Sequence, residues 1–270
     1  FVLLLLLYVL TVASNLLLTA VICLSRSLHQ PMYVLLCSLF VNELYGSTAL
    51  VPFLLLQILS DLHAVSAPFC FLQIFCVYTY VNVEFCTLAV MAYDRFVAIC
   101  QPLQYHLRMS LSRTLLLVFV LWLYSFLKCL STLALSLQLQ RCGVAINSLY
   151  CHNYLVVKLS CSDTRVNNIY GLLGLVRHLL SQALVLLSYC HIFSVMLKLS
   201  GESQRKALQT CTPHLVVFIN FSGAAFCGVT YNRLSANIPK TVNILACVSF
   251  FLVPPLFNPI IYGIKMKEIR

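Results

Sequence analysis

Long apolar runs separated by short polar segments are the feature that most constrains the fold of this chain. Its 270 residues are 61% hydrophobic and only 9% charged, and the mean hydropathy is +0.94. A soluble domain usually has about 25% charged residues, so this composition excludes one. A helix that spans a bilayer needs about 20 apolar residues, and the chain is long enough for seven. We therefore predict an all-α fold, a seven-transmembrane-helix bundle that forms a single membrane domain over residues 1–270.

The apolar runs define the predicted helices. The first run is too long for the apolar core of a signal peptide and has no basic start, so we interpret it as a spanning helix. Because the chain begins inside this run, we expect further residues to precede it. Proline at position 31 fits the start of the second helix, where the N–H that proline lacks would be unpaired anyway. The predicted helices cover 1–24, 32–58, 69–99, 114–137, 169–198, 206–231 and 238–262, and an eighth begins at 265–270.

The basic residues of the loops predict the orientation in the membrane. One set of loops carries nine Lys or Arg and the opposite set carries five. Since cytoplasmic loops hold the excess of basic residues, the first set is predicted to be cytoplasmic. The net charge of +10 does not indicate nucleic-acid binding, because the basic residues are scattered between apolar runs without a basic stripe. The cytoplasmic set comprises Arg26, Arg108, Arg113, Lys198, Arg205, Lys206, Lys265, Lys267 and Arg270.

Three polar side chains lie deep in the predicted helices: Glu43, Glu84 and Asn258. A carboxylate near the middle of a bilayer costs roughly 2.5–3.5 kcal/mol on insertion scales, so both should face each other or internal water. Either a bound cation or protonation of one carboxylate would relieve their repulsion. This pattern suits an ion-coupled transporter or a receptor with an internal cation site. Lys128, within the fourth helix, either reaches outward to the interface or meets a partner.

The segment Met91–Met109 carries the most specific motif of the chain. It reads MAYDRFVAIC followed by QPLQYHLRM, and it places Asp94 beside Arg95 where an apolar run meets polar sequence. An isolated pair of this kind would be an anchoring charge pair at the membrane boundary. The whole segment, however, closely resembles the third-helix end and second cytoplasmic loop of olfactory receptors, with Phe96 as an allowed variant.

Other stretches resemble the same family over nearly the whole chain: LHQPMY at 28–33, KLSCSDT at 158–164, KALQTCTPHL at 206–215 and NPIIY at 258–262. The resemblance implies an odorant receptor that activates a stimulatory, olfactory-type G protein and raises cyclic AMP. It also implies a plasma-membrane location in the cilia of olfactory neurons. NELYG at 42–46 resembles the fish-type branch, which suggests water-borne ligands. Ser222 stands where the family usually has an aromatic residue, which puts the usual sixth-helix switch in doubt.

The resemblance also implies roles for individual residues. It implies a switch for G-protein coupling at Asp94, Arg95, Tyr189, Asn258, Pro259 and Tyr262. It implies a pocket for a sodium ion at Glu43, Glu84 and Asn258, of which the two carboxylates would hold the metal. It implies odorant contacts at Tyr78, Val81, Asn82, Phe226, Val229 and Phe251.

Four cysteines lie on the predicted outer side: Cys70, Cys142, Cys151 and Cys161. Four cysteines allow three disulfide connectivities, and the spacing does not choose among them. The resemblance implies Cys70 with Cys151 and Cys142 with Cys161. A metal site at Cys151 and His152 is the alternative.

The fifth helix carries a polar stripe. Tyr189 should point into the bundle, because an unpaired phenol hydroxyl is disfavoured in lipid. Gln182, His178 and Gly171 lie seven, eleven and eighteen residues earlier, on the same helical face. We therefore predict that His178 and Gln182 face inward, where the resemblance implies that they contact the odorant, and that Arg177 is rotated away toward the interface. A histidine bonded only to a neighbouring helix is the competing interpretation.

The sequence contains no HExxH, GxSxG, GxGxxG or P-loop motif, so we predict no enzymatic activity and no organic cofactor. A retinal-binding opsin would have a lysine in the middle of the seventh helix, and this helix has Lys240 only at its outer edge. A secondary transporter that uses Glu43 and Glu84 is the alternative function, although no inverted repeat supports it. A non-odorant chemosensory receptor of the same class is a third.

Overall fold

A computed structural model describes residues 1–60, 65–140, 142, 150–234 and 240–265, and within these it leaves the side chains of 227–234, 240–248 and 264–265 undescribed. Seven long helices dominate the described residues, joined by two short helices and two 3₁₀ turns. The long helices are α1 (Val2–Leu24), α2 (Pro31–Leu59), α3 (Ala67–Cys100), α5 (Leu111–Leu137), α7 (Arg165–Met196), α8 (Gly201–Leu234) and α9 (Lys240–Lys265). The short helices are α4 (Tyr105–Arg108) and α6 (Asn153–Lys158).

The predicted helices are present, and their ends differ from the predicted bounds by up to five residues. Pro31 is the first residue of α2, as predicted. The hydroxyl of Ser110 caps α5 by accepting from the backbone N–H of Arg113, at 3.4 Å. The helices α4 and α6 lie in segments that the sequence predicted to be loops. Of the predicted start of an eighth helix at 265–270, Lys265 is the last residue of α9 and the rest lies outside the described residues.

The α3 helix is the centre of the bundle. It packs against α2, α5, α7 and α8. Tyr80 of α3 is fully buried, and its ring meets Phe221, Phe250 and Phe251 at centroid distances of 5.8, 6.1 and 6.0 Å. On the α2 side, the Tyr80 ring lies so close to Gly46 that a Cβ there would overlap it. A glycine is therefore required at this crossing of α2 and α3.

Asn15 links α1 to α9 at a proline. Its Nδ2 donates to the carbonyl oxygen of Pro255 at 2.8 Å and to that of Thr11 at 2.9 Å. The Pro255 carbonyl would normally accept from the N–H four residues later, but that residue is Pro259, which has none. Asn15 satisfies this carbonyl and thereby ties α1 to α9.

The outer faces of the helices are suited to lipid. Within the described residues, five helices are long and apolar enough to cross a membrane: α1, α2, α3, α5 and α7. Large apolar side chains project from them, among them Leu17, Phe119 and Leu187 at about two-thirds exposure. Aqueous solvent would not tolerate so continuous an apolar surface, whereas a bilayer does. The predicted all-α membrane bundle is confirmed; below, the Cys70 end is called outer and the Arg95 end inner.

Candidate functional site

Two disulfide bonds hold the outer end of the bundle. Cys70 at the start of α3 is bonded to Cys151, with 5.3 Å between Cα atoms, and Cys142 is bonded to Cys161, with 5.7 Å. The backbone N–H of Cys151 also donates to Gln73 Oε1 at 3.2 Å. The pairing that the resemblance implied is confirmed. Because the Cys151 sulfur is in a disulfide, it offers no thiolate, and the alternative metal site there is wrong.

The segment around Cys151 covers the bundle from outside. The Tyr150 ring meets the edge of Phe251 at 5.6 Å and lies 5.6 Å from the ring of His152. His152 is only 5% exposed. Burial lowers the pKa of His152 to about 4, so its imidazole is neutral at physiological pH.

Asp94 organises the inner end. Arg95 donates to Asp94 Oδ2 from Nε at 3.0 Å and from Nη2 at 2.5 Å. The hydroxyl of Tyr105, from α4, donates to the other carboxylate oxygen at 2.8 Å. Burial and the Asp94 charge raise the pKa of Tyr105, which keeps it protonated as a donor. We call Asp94, Arg95 and Tyr105 the inner lock, because it holds Arg95 against its own helix.

A second inner network joins α3, α7 and α8. Tyr189 is 2% exposed, which confirms that it points inward, and its hydroxyl is hydrogen-bonded to His214 Nδ1. His214 Nε2 lies 3.0 Å from the carbonyl oxygen of Leu88. A carbonyl only accepts, so Nε2 carries the proton and Nδ1 accepts from Tyr189. Tyr262 of α9 is fully buried, with its ring 6.2 Å from that of Phe40. Nothing in the sequence indicated a role for His214 beyond its place in KALQTCTPHL.

The two buried carboxylates lie on the α2 and α9 side of α3. Asn258 donates from Nδ2 to Glu43 Oε1, and Asn42 Nδ2 donates to Glu84 Oε2 at 2.8 Å. All four residues have no solvent exposure. Glu43 Oε2, Glu84 Oε1 and the two amide oxygens have no hydrogen-bond partner among the described residues. This site, which we call the acid pair, is a set of oxygen atoms of the kind that a hard cation prefers.

The predicted odorant contacts lie at different depths. Tyr78 and Val81 are half-buried and Asn82 is buried on α3, while Phe251 lies in the core with 1% exposure. His178 and Gln182 are half-buried on α7. Phe226 is 69% exposed, so the structure does not pack it among the others. The side chain of Val229 lies outside the described residues.

A group of basic side chains surrounds Asn82. Asn82 Oδ1 accepts from Lys128 Nζ at 2.7 Å and from Arg177 Nη2 at 3.1 Å. His178 Nε2 lies 3.2 Å from Lys128 Nζ and 3.4 Å from Arg177 Nη2. Lys128 therefore meets a partner, and the prediction that Arg177 is rotated away is wrong. We call Asn82, Lys128, Arg177 and His178 the basic cluster. In the sequence, this cluster was indicated only by Lys128 and Arg177, two cationic residues within apolar helices.

Known proteins resemble this chain over its whole length. A family model described as olfactory receptor matches residues 4–270. Olfactory receptor 2A12 of Homo sapiens is 35% identical over 269 residues, which cover 98% of this chain and 86% of that protein. Olfactory receptor 5M5 of Mus musculus is 35% identical over 274 residues, which cover 100% of this chain and 85% of that protein.

Proposed function

Because the chain belongs to the olfactory receptor family and is an odorant-sensing G-protein-coupled receptor, we propose that it activates a stimulatory, olfactory-type G protein and raises cyclic AMP. We place this activity in the plasma membrane of sensory cilia. The observation that carries the proposal is the inner lock, in which Arg95 is held by Asp94 instead of facing the cytoplasm. A lock of this kind gives the bundle two states, one closed and one with Arg95 released.

The ligand acts by shifting the population between these states. It binds in the outer half among Tyr78, Val81, Asn82, His178 and Gln182, and it favours the active bundle only if it binds that state better. The α3 helix carries both Asn82 and the inner lock, so a shift of α3 in the outer half reaches Arg95. Release of Arg95 from Asp94, with rearrangement of Tyr189 and Tyr262, opens the inner end to the G protein.

The experiment is an odorant panel applied to transfected cells with a cyclic AMP reporter. We expect a subset of odorants to raise cyclic AMP in a dose-dependent manner. Tracer uptake is measured in parallel, because a transporter would accumulate tracer without a cyclic AMP response. Uptake without signalling, or a response only through an inhibitory G protein, would contradict the proposal.

We further propose that the acid pair binds a sodium ion. The unpaired oxygens of Glu43, Glu84, Asn42 and Asn258 supply the donor set, and a cation would offset the repulsion between the carboxylates. Sodium chloride should raise the unfolding temperature of the purified receptor more than choline chloride does. Glu43→Gln should remove that difference. Equal stabilisation by both salts would mean that a proton relieves the repulsion instead.

A further inference from the structure

We propose that Lys128 and Arg177, positioned by Asn82 and His178, bind the carboxylate of a small acidic ligand in the outer half of the bundle. This inference rests on the proposed receptor function and names the chemical class of its ligand.

The charge balance of the basic cluster is the first argument. Lys128 Nζ and Arg177 Nη2 bind the same neutral oxygen at 2.7 and 3.1 Å, so the two cations are no more than about 6 Å apart. His178 Nε2 faces two groups that only donate, so this nitrogen is an unprotonated acceptor. The neutral imidazole does not offset the two positive charges. None of the ion pairs formed by the described residues includes Lys128 or Arg177.

The nearest carboxylate along α3 points away from the cluster. Glu84 is two residues from Asn82, about 200° around the helix, and it bonds to Asn42 of α2. A charged side chain within a bilayer is costly unless it is paired or reaches water. An anion between Lys128 and Arg177 would supply the missing negative charge.

The unused hydrogen-bond donors are the second argument. An ammonium has three N–H donors, and Lys128 uses two toward Asn82 and His178. Arg177 makes its contacts with Asn82 and His178 through Nη2 alone, while its guanidinium lies over the Tyr124 ring with 5.2 Å from Cζ to the centroid. The remaining guanidinium donors form a planar fork, the geometry that matches a carboxylate.

The space beside the cluster is the third argument. Gly171 and Gly174 lie on α7 seven and four residues before His178, on the same helical face. A Cβ at Gly171 would meet no atom within 4 Å, and one at Gly174 would meet only Lys128 Nζ at 4.0 Å. The Phe85 ring lies 5.4 Å from the His178 ring and gives the site an apolar wall. These features suit a ligand with an anionic head and an apolar body.

The depth of the cluster argues against a lipid headgroup as the source of the anion. Asn82 is fifteen residues from the outer end of α3 at Ala67 and eighteen from its inner end at Cys100, about 22 and 27 Å along the helix. Arg177 is twelve residues, about 18 Å, from the start of α7. Headgroups lie at the surface of a hydrocarbon core about 30 Å thick. A free small molecule that enters from outside is therefore the occupant.

The experiment measures the unfolding temperature of the purified receptor in nanodiscs, which requires no G protein. Butanoate, octanoate and benzoate are each compared with their primary amides, which have the same shape without the charge. We expect at least one acid to stabilise the wild-type protein and its amide to bind at least about tenfold more weakly, since hydrogen bonds to charged groups are worth 1.5–3 kcal/mol. Lys128→Met and Arg177→Gln should each abolish this preference, whereas Lys128→Arg should retain part of it. Lys158→Met removes a lysine that is exposed near the outer end and should change nothing.

Asn82→Asp keeps the proposal testable if the charge-removing variants do not fold. It places a carboxylate against both cations, so it should raise the unfolding temperature and abolish acid binding. Three results would overturn the subsite: amides that bind as well as the acids, a preference that survives in Lys128→Met and Arg177→Gln, or equal stabilisation by choline chloride at the same concentration. So would the absence of acid binding in a receptor that responds to neutral odorants. A receptor that binds acids through Lys128 and Arg177 without raising cyclic AMP would instead overturn the proposed signalling and leave the subsite in place.

Discussion

The inner and outer halves of this bundle treat polar side chains in opposite ways. In the inner half, the inner lock and the network of Tyr189 and His214 are closed, since both carboxylate oxygens of Asp94 and both ring nitrogens of His214 have partners within the protein. In the outer half, the basic cluster has two cations with unused donors, and Lys128 Nζ lies beside the open space at Gly174. A closed network fits a part of the protein that switches between defined states, whereas an open one fits a part that takes up a ligand.

The α3 helix joins the two halves. Asn82 faces α5 and α7, Glu84 faces α2, and Asp94 forms the inner lock, all on one rigid element. A ligand that moves α3 against α5 or α7 would therefore act on both inner networks, since Leu88 of α3 bonds to His214. The predictions below separate binding in the outer half from switching in the inner half.

The largest expected effect is at the inner lock. Arg95→Ala should reduce the cyclic AMP response to baseline while ligand binding is retained, because Arg95 lies about 20 Å along α3 from Asn82. Signalling is measured at matched surface expression, and binding is measured from the unfolding temperature. Arg165→Ala, which breaks an exposed ion pair with Asp163 at the outer end, is the control and should signal normally. Undiminished signalling in Arg95→Ala would show that the inner half is not the switch.

The next largest effect is expected at the two disulfide bonds of the outer end. Cys70→Ser should lower the free energy of unfolding by roughly 2–4 kcal/mol, since the bond to Cys151 closes a long loop. Cys142→Ser should cost about 1 kcal/mol less, because its sequence separation is 19 instead of 81. Chemical unfolding measures both variants, and peptide mapping without reduction should recover both linked pairs. Equal losses would argue against an origin in loop closure.

A smaller effect should follow pH at the outer cover. The folded-state pKa of His152 is about 4, against about 6.5 in an unfolded chain. As the pH falls below 6.5, the unfolded chain takes up the proton first, so stability present at neutral pH is lost progressively down to pH 4. Between pH 7.5 and pH 5 the loss should be about 2 kcal/mol. The free energy of unfolding is measured against pH for the wild-type protein and for His152→Gln, and the difference between the two curves isolates this contribution. Identical curves would show that His152 is not buried as a neutral group.

The sequence predicted most of the architecture and the inner half of the site. Apolar runs as long as α1 or α5 can satisfy their backbone in lipid only as helices, so composition and length were sufficient. The adjacent Asp94 and Arg95 marked the inner lock. The position of two carboxylates deep in apolar helices predicted that polar groups would lie beside them, and Asn258 is such a group for Glu43. The resemblance to the fish-type branch stays a prediction.

The outer half was harder to predict because it depends on which helices are neighbours. Arg177 is about 100° around α7 from His178, and the helical period alone placed it away from the pocket. In the structure, however, α7 packs against both α3 and α5. The Arg177 side chain therefore points toward these two helices and contacts Tyr124 and Asn82. Lys128 and Asn82 are 46 residues apart, and no local pattern connects them.

The smallest expected effect is at His178, and it tests whether the open outer half takes part in recognition. His178→Ala should shift the dose response by roughly threefold to tenfold for polar agonists, the range expected for one neutral hydrogen bond. Acidic agonists should shift most, because the variant removes the acceptor that holds Lys128 and Arg177 in place. Apolar agonists should change least, because they have no hydrogen bond to lose. Leu180→Ala, at a side chain on the same helix that is 60% exposed, is the control for a general effect on α7. An equal shift for every class of agonist, or reduced surface expression alone, would mean that His178 only joins neighbouring helices.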